Sequence, residues 1–504
     1  MEDNEMIIPY SLALVLLVPL VSAPIVYYLG KQMGKKVGWI AIIPLIVTML
    51  FVANVAVGIK DGGSYSENYI WAPAAGLSFG LLADGLSIWM LLTVNLLVLL
   101  ICIYSVRYME HMFQEEEHRT GVPTPNSAYA SYFTLYLLYA VGMLGAVLTT
   151  NMIQFYLFYE LMLVPSWVLI NNYGYGDRER IGTMYFMWTH VGAVIMLAGI
   201  LSSYWITGSF EISALSLVVG SSLASWIAIA ILFGFFTKMA VFGLHVWLPY
   251  AHAEAPTPIS ALLSPAMIGI GAYAAVRLVI IPMPEVFSHF RLMFSLWALL
   301  TMVYGGLMAL AQDDIKKLLA YSSVSQMGYI FLGLSSATSI GLTGAIFHYV
   351  SHGITKGILF AIAGILIVQT GTRSIKELGG LIGRMPLTGA LCIIGFFGIS
   401  GIPPTIGFMS KWAIFLGLFT GALEHSMKMV IIAVISILMT VITLGYSLWT
   451  IWRIFFGPLP DHLKEVKEAP PIMTVPPLIL AVASLVLGIF PGIVTDFIAR
   501  AFGG

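Results

Sequence analysis

Apolar residues occur in runs long enough to cross a lipid bilayer, and short polar connections separate these runs. A helix needs about 20 mostly apolar residues to span the hydrocarbon core. The pattern therefore predicts an all-α polytopic membrane protein with about fourteen transmembrane helices. We number them as spans one to fourteen, near residues 7–29, 38–58, 85–106, 130–150, 152–171, 182–206, 222–246, 258–281, 292–312, 318–336, 341–368, 387–419, 429–454 and 474–497. The longest connections, 107–129 and 456–472, are charged and rich in Gly or Pro, as surface loops are.

The composition excludes a water-soluble protein. Only 9% of the residues are charged and 59% are apolar, whereas a soluble domain carries about 25% charged residues. The 23 basic and 24 acidic residues nearly balance, so no basic excess exists for binding nucleic acid. The two cysteines, Cys102 and Cys392, lie far apart within apolar runs, which leaves no set of ligands for an iron–sulfur cluster in this chain.

Loop charge predicts how the chain lies in the membrane. The N-terminal residues are acidic and lead into a full-length apolar run, which favours a first span over a cleaved signal peptide. The odd-numbered loops hold fifteen basic residues, and the opposite side holds five. Because basic loops stay in the cytoplasm, we expect both termini outside and the chain in the cell inner (cytoplasmic) membrane.

Three lysines and one glutamate lie well inside the predicted spans, away from the span ends. Glu160 lies in span five, Lys238 in span seven, Lys356 in span eleven and Lys411 in span twelve. Each costs roughly 2.5 to 3.5 kcal/mol at the bilayer centre unless it faces the bundle interior, water or a partner. Such residues indicate an ion or proton path. The alternative is a set of static ion pairs that only hold helices together.

Helix-breaking residues lie beside two of the lysines. Lys238 precedes a run with four prolines, and Lys411 follows Pro403 and Pro404 in an otherwise long apolar segment. Interrupted helices at membrane depth line hydrated cavities in transporters. The two broken spans are five spans apart, which predicts two inverted five-helix repeats. The expected division is 1–129 for spans one to three and a cytoplasmic loop, 130–281 and 282–455 for the repeats, and 456–504 for a loop and span fourteen.

Span eleven carries a ladder of polar side chains. His348, His352 and Lys356 are spaced four residues apart, which puts all three on one helical face. Imidazole accepts and releases protons near neutral pH, so this face suits a proton relay. The competing interpretation is a metal or haem site, although a third ligand of the usual type is missing. His190 in span six fits a hydrogen-bonded core histidine better than a relay member.

Two long motifs carry a resemblance to a known family. Residues 235–265 contain the run WLPYAHAEAPTP at 247–258, and residues 311–330 contain DDIKKLLAYSS at 313–323. With these motifs the chain resembles the antiporter-like membrane subunits of respiratory complex I (the M, N and L types), related subunits of membrane-bound hydrogenases, and the D-type subunit of Mrp cation/proton antiporters. The resemblance is clearest over about residues 80–455.

The resemblance implies roles for the intramembrane residues. Glu160 would be the carboxylate partner of Lys238, and Lys356 with the two histidines would form a central polar axis. Lys411 would be the terminal lysine, a position that looks like glutamate in M-type subunits, so the paralogue type stays open. Span eight lacks the ionisable group that many relatives carry, so the link from Lys238 to span eleven would use water or hydroxyls such as those of Ser260 and Ser264.

The resemblance implies a proton-translocating membrane subunit of a complex-I-like respiratory oxidoreductase or membrane-bound hydrogenase. Redox chemistry, with iron–sulfur clusters, a flavin or NiFe centre and quinone, is expected only in partner subunits, both antiporter-like and quinone-site subunits. The alternative is an Mrp-type Na⁺(K⁺)/H⁺ antiporter subunit, which the same lysines serve equally well. Further alternatives are a haem-containing redox enzyme and a purely structural subunit. The electron donor and the choice between H⁺ and Na⁺ stay open.

Overall fold

A computed structural model describes residues 7–425 and 427–503, and most of these are helical. The helices are α1 (Ser11–Met33), α2 (Val37–Gly58), α3 (Ser87–Thr120), α4 (Asn126–Leu148), α5 (Met152–Tyr173), α6 (Arg178–Thr207), α7 (Ala224–Lys238), α8 (Trp247–Glu254), α9 (Thr257–Leu262), α10 (Ile268–Ala275), α11 (Pro284–His289), α12 (Arg291–Leu310), α13 (Ile315–Ser335), α14 (Ser339–Thr370), α15 (Pro386–Ser400), α16 (Ile406–His425), α17 (Met427–Leu438), α18 (Thr440–Ile451), α19 (Pro471–Ile489) and α20 (Gly492–Arg500). An antiparallel hairpin, β1 (Tyr65–Ala72) and β2 (Leu77–Ala83), lies between α2 and α3.

The structure confirms a polytopic helical membrane protein. Ten stretches within the described residues are long and apolar enough to cross a membrane, and one of them, Ser11–Gly58, contains both α1 and α2. The predicted interruptions in spans seven and twelve are confirmed, because α7 stops before α8 begins and α15 stops before α16 begins. These interrupted segments yield the shorter apolar helices α7 and α15 and the apolar stretch Ile406–Ala422 of α16.

Helix α14, which carries the polar ladder, lies in the middle of the bundle. It packs against α3, α9, α13, α15, α16 and α19, and 94% of its most apolar stretch is buried by protein. The most apolar stretch of the segment Thr257–Ile280, which corresponds to span eight, is completely buried by protein. The side chains of α14 therefore face neighbouring helices rather than lipid.

Two local structures differ from the sequence expectation. Residues 107–120, expected within a surface loop, continue α3 as a helix to Thr120. Ion pairs support this extension, since Glu110 contacts Lys35 at 2.6 Å and Arg107 at 2.8 Å. The charged residues in this stretch therefore indicate a helix end that is exposed to water, and not an irregular loop. The hairpin, which the sequence pattern did not reveal, also serves as a cap, because the carboxylate of Glu67 accepts the backbone N–H groups of Leu12 and Ala13.

Contacts between connections show which of them share a side of the bundle. The odd-numbered loops bind one another, as in the ion pairs Arg373–Asp314 and Arg453–Asp313. The even-numbered loops and the chain ends do the same, since Arg277 pairs with Asp84 and Arg500 donates to the carbonyl of Lys60. We call these surfaces the odd-loop side and the even-loop side.

Candidate functional site: buried lysines at two broken helices

Lys238 is the last residue of α7 and lies at the first helix break. Its ammonium group is fully buried, and Nζ lies 4.3 Å from the centre of the Tyr159 ring. The chain then turns with a positive φ of 89° at Gly243, a conformation that glycine adopts readily, before α8 begins at Trp247. The carbonyl end of a helix favours a cation. Among the described residues, however, Nζ of Lys238 has no hydrogen-bond partner.

Glu160 follows Tyr159 on α5 and contacts a histidine rather than Lys238. Its Oε2 lies 3.2 Å from Nδ1 of His190 on α6, while Oε1 has no hydrogen-bond partner within the described chain. The implied direct ion pair between Glu160 and Lys238 is therefore absent from these described contacts. From the sequence, His190 is expected to be a hydrogen-bonded core residue, as lone histidines within membrane spans more often are.

The α14 ladder makes hydrogen bonds to α13 at both of its ends. His348 Nε2 lies 3.0 Å from Oε1 of Gln326, and Nδ1 lies 2.9 Å from Oγ of Ser410. One end of the ladder is thereby joined to the residue that precedes Lys411. His352 is buried, and both of its ring nitrogens lack a hydrogen-bond partner among the residues described.

Lys356 is the other end of the ladder. Its Nζ donates to the carbonyl of Leu319 at 2.7 Å and also contacts Oγ of Ser322. Ser322 lies one turn before Gln326, so Lys356 and His348 bind successive turns of α13. The ladder and its partners thus form one polar seam between α13 and α14.

Lys411 lies at the second helix break. Its Nζ donates to the carbonyl of Ile399, near the end of α15, at 2.5 Å, and lies 4.1 Å from the centre of the Tyr329 ring. Gly401 has a φ of 77° and ends α15. Both broken helices therefore hold a lysine ammonium near the carbonyl end of the first segment and over a tyrosine ring.

Of the two hydroxyls expected to link the halves, one reaches the polar seam. Ser264 Oγ lies 2.6 Å from Oγ of Ser323, the neighbour of Ser322. Ser260 instead donates to the carbonyl of His252. His252 is itself a buried polar residue, although in the sequence it stands out only as part of a motif. Residue spacing could not predict that both of its ring nitrogens lack a hydrogen-bond partner in the described structure. In the described part of the chain no group of His, Cys, Asp or Glu is arranged to hold a metal ion.

Interrupted helices with buried ionisable side chains, set in a bundle of membrane spans, define the class of polytopic ion-transport proteins. Comparison of the sequence gives the family: the chain belongs to the NADH:quinone oxidoreductase/Mrp antiporter membrane family, whose sequence profile matches residues 149–443. A second profile, for the N-terminus of chain 5 of NADH-ubiquinone oxidoreductase (complex I), matches residues 71–119. The family expected from the two motifs is confirmed.

Individual relatives come from two kinds of complex. The chain is 30% identical to F(420)H(2) dehydrogenase subunit M of Methanosarcina mazei, over 96% of this chain and 95% of that one. It is 33% identical to the A-type subunit of the Na(+)/H(+) antiporter of Alkalihalophilus pseudofirmus, over 94% of this chain but only 60% of that longer protein. A chain of respiratory complex I from Thermus thermophilus superposes with a TM-score of 0.84 and 26% identity, over 97% of this chain and 98% of that one.

Proposed function

We propose that this chain is the proton-translocating membrane subunit of a redox-driven respiratory complex. The observation that carries the proposal is the series of buried ionisable groups that runs from Lys238 at one helix break, past the α13–α14 polar seam, to Lys411 at the other. Near-complete mutual coverage with a dehydrogenase subunit of similar length supports the redox-driven form.

In the proposed cycle, Lys238 takes a proton from the odd-loop side while Glu160 provides nearby negative charge. A change in a neighbouring subunit moves the Glu160 carboxylate away from Lys238. Lys238 then loses its electrostatic support and passes the proton through water toward the ladder of Lys356, His352 and His348. Ser410, which contacts His348, adjoins Lys411, and Lys411 releases the proton on the even-loop side.

The two halves, residues 130–281 and 282–455, act in this proposal as inverted repeats that provide the uptake and release sides. Each contains one interrupted helix. The odd-loop side faces the cytoplasm of an inner-membrane protein and both termini lie outside, as the distribution of basic loop residues favours. Partner subunits supply the electron carriers, including iron–sulfur clusters and a quinone site, and further antiporter-like subunits extend the membrane arm.

A second candidate is a component of an Mrp-type Na⁺(K⁺)/H⁺ antiporter without a redox partner. The identity of 33% to the A-type antiporter protein favours it. This chain spans about 60% of the length of those curated antiporter relatives.

Gentle detergent purification of the tagged chain separates the two candidates. Copurification of iron–sulfur and quinone-site subunits supports the redox-driven pump and identifies its donor. Copurification of small antiporter subunits alone, with cation/proton exchange that needs no electron donor, would replace it with the second candidate.

The role of Lys238 is tested in membrane vesicles that contain the assembled complex. Lys238→Met removes the ammonium while keeping similar length and apolar packing, and we expect proton translocation per electron to fall about three- to tenfold. Lys317→Met, a change at a half-buried lysine on the odd-loop side, serves as the matched control and should leave translocation intact. Full translocation by an assembled Lys238→Met complex would contradict the assignment.

A further inference from the structure

His252 is a buried histidine for which the proposed cycle has no use. It lies on α8 with no exposed surface, and its ring stacks on Phe360 with the ring centres 5.3 Å apart. Neither ring nitrogen has a hydrogen-bond partner in the described residues. Leaving a buried polar group unpartnered costs free energy, and proteins commonly satisfy such groups with internal water. The position therefore has the chemistry of a hydrated relay point.

On the odd-loop side of His252 lies a buried lysine. Lys316 is the second residue of α13, yet its side chain has no exposed surface. Its Nζ contacts the carbonyl of Ala255, three residues after His252, and lies 5.3 Å from the centre of the Tyr175 ring. One carbonyl uses only one of three ammonium donors, which leaves capacity for water on either side.

Charged groups of the odd-loop surface adjoin this lysine. Arg373 pairs with Asp314, the residue that caps α13, at 2.8 Å and approaches Glu254 at 3.6 Å. One oxygen of Glu254, Oε2, is buried without a hydrogen-bond partner inside the described structure. The carboxylates of Glu254 and Asp314 can collect protons from water at this surface and deliver them to Lys316.

On the inner side, His252 and Lys356 approach the same aromatic ring. Lys356 Nζ lies 6.0 Å from the centre of Phe360, the ring on which His252 stacks. The charged or titratable groups that interact with His252 are Lys316 from α13, and Lys356 and His352 from α14. His252 thus lies between a lysine at the odd-loop side and the central lysine of the ladder.

We propose that Lys316 and His252 form a second proton-uptake path, which loads Lys356 from the odd-loop side without passing Lys238. The neutral Lys316 amine takes a proton at Nζ from water on the odd-loop side. It then passes this proton, through a second water, to one ring nitrogen of His252. The resulting imidazolium releases the proton at its other nitrogen, through water, to the neutral amine of Lys356. Each water that gives up a proton regains one, so no other reactant is needed. This path rests on the proposed function.

A double-mutant cycle distinguishes two parallel paths from one serial path. Proton uptake per electron is measured in vesicles containing the complete complex, with Lys238→Met, His252→Leu and the two combined. If the two paths are parallel, each single variant keeps a measurable share of the wild-type proton uptake per electron, while the uptake of the double variant falls below about one tenth of wild type. His289→Leu, at an exposed histidine on the even-loop side, is the matched control and should be unaffected.

Lys316 provides a second variant that separates a relay from a structural role. Arginine keeps the positive charge and can still donate to Ala255, but it does not lose its proton in proteins. We therefore expect Lys316→Arg to lower uptake as much as Lys316→Met does, and to remove the residual uptake of Lys238→Met. Normal uptake by Lys316→Arg would overturn the path. This variant also carries the test if His252→Leu reduces assembly of the complex.

The outcomes separate failure of the second path from failure of the proposed function. A double variant no worse than Lys238→Met alone overturns the second path and leaves the pump intact. Full uptake in every variant, with normal assembly on native gels, overturns the proposed function itself. A synergistic loss in the double variant supports both.

Discussion

The two interrupted helices hold their lysines by different means. In the first half Lys238 lies over Tyr159 without a hydrogen-bond partner in the described structure, and the residue after that tyrosine is the acid Glu160. In the second half Lys411 lies over Tyr329, but the backbone carbonyl of Ile399 binds its ammonium. The residue after Tyr329 is Ile330, so no acid occupies the corresponding place.

This difference makes the first half responsive, in the sense that the charged group near its lysine can move, and the second half fixed. The Glu160–His190 contact is partly exposed, with 18% and 40% of the two side chains accessible, so an adjoining subunit can reach it. The support of Lys411 is backbone, which a neighbour cannot easily move. In the proposed cycle the first half therefore receives the signal from a neighbouring subunit, and the second half passes the proton on.

The largest effect is expected at the lysine that both proposed uptake paths share. Lys411→Met removes the proposed release group, and we expect proton translocation to fall by about tenfold or more. Electron transfer measured with an uncoupler present should change much less. Near-normal translocation with normal assembly would show that release does not need Lys411, and would remove the functional distinction between the halves.

A smaller effect is expected at the responsive pair. Glu160→Gln removes a charge whose interaction with a cation some angstroms away is worth about 1 kcal/mol, so translocation should fall about fivefold. His190→Phe keeps the acid and should cost less than Glu160→Gln. The rates of the two variants in the same vesicles test the order, and a larger loss in His190→Phe would make the imidazole, not the acid, the controlling group.

The same two halves end on comparable arginines with unequal partners. Arg277 and Arg453 are each the second residue of a five-residue π-helical turn, and each binds an aspartate from another connection. Asp84 binds Arg277 through both oxygens, at 2.7 and 2.8 Å. Asp313 is 40% exposed and shares its charge between Arg453 and Lys376.

Asp84→Asn should therefore lower stability measurably. Burial alone would raise the pKa of Asp84, but the Arg277 guanidinium and hydrogen bonds from Ser87 outweigh burial and hold this pKa below its ordinary value. The stabilisation is present above the unfolded pKa of about 3.9 and is lost as the pH falls through the lower folded-state pKa. We expect a loss of about 3 kcal/mol at pH 7. Denaturation of purified variants at pH 7 and at lower pH checks both the size and the sign.

Asp313→Asn should have the smallest effect. Hydrogen bonds from Lys376 and Arg453 lower the pKa of Asp313, but water and salt screen an exposed pair. We expect a loss of less than about 1 kcal/mol at pH 7, shrinking further with added salt. A loss as large as that of Asp84→Asn would remove the contrast between the two arginines.

The sequence predicted the parts of this molecule that depend on hydropathy and spacing. The spans, the two helix breaks and the one-sided ladder of His348, His352 and Lys356 all follow from local pattern, and the structure contains the corresponding helices and breaks. Contacts across helices were not readable in this way. The partners of Glu160 and Lys356 lie on α6 and α13, and only tertiary packing sets which rotational face of each helix meets its neighbour. The role of each residue stays a prediction.

The carboxylate of Glu67 also bears on how the chain is made. The Glu67 carboxylate caps the amino end of α1. The unit of α1, α2 and the hairpin therefore contains this stabilising contact once residue 83 has left the ribosome. Asp84 comes next, but its arginine arrives only with span eight. A nascent chain stalled after residue 83 and before span eight contains the capped N-terminal unit, but Asp84 does not yet have its Arg277 partner. We expect chains truncated in this interval to populate a distinct biogenesis intermediate.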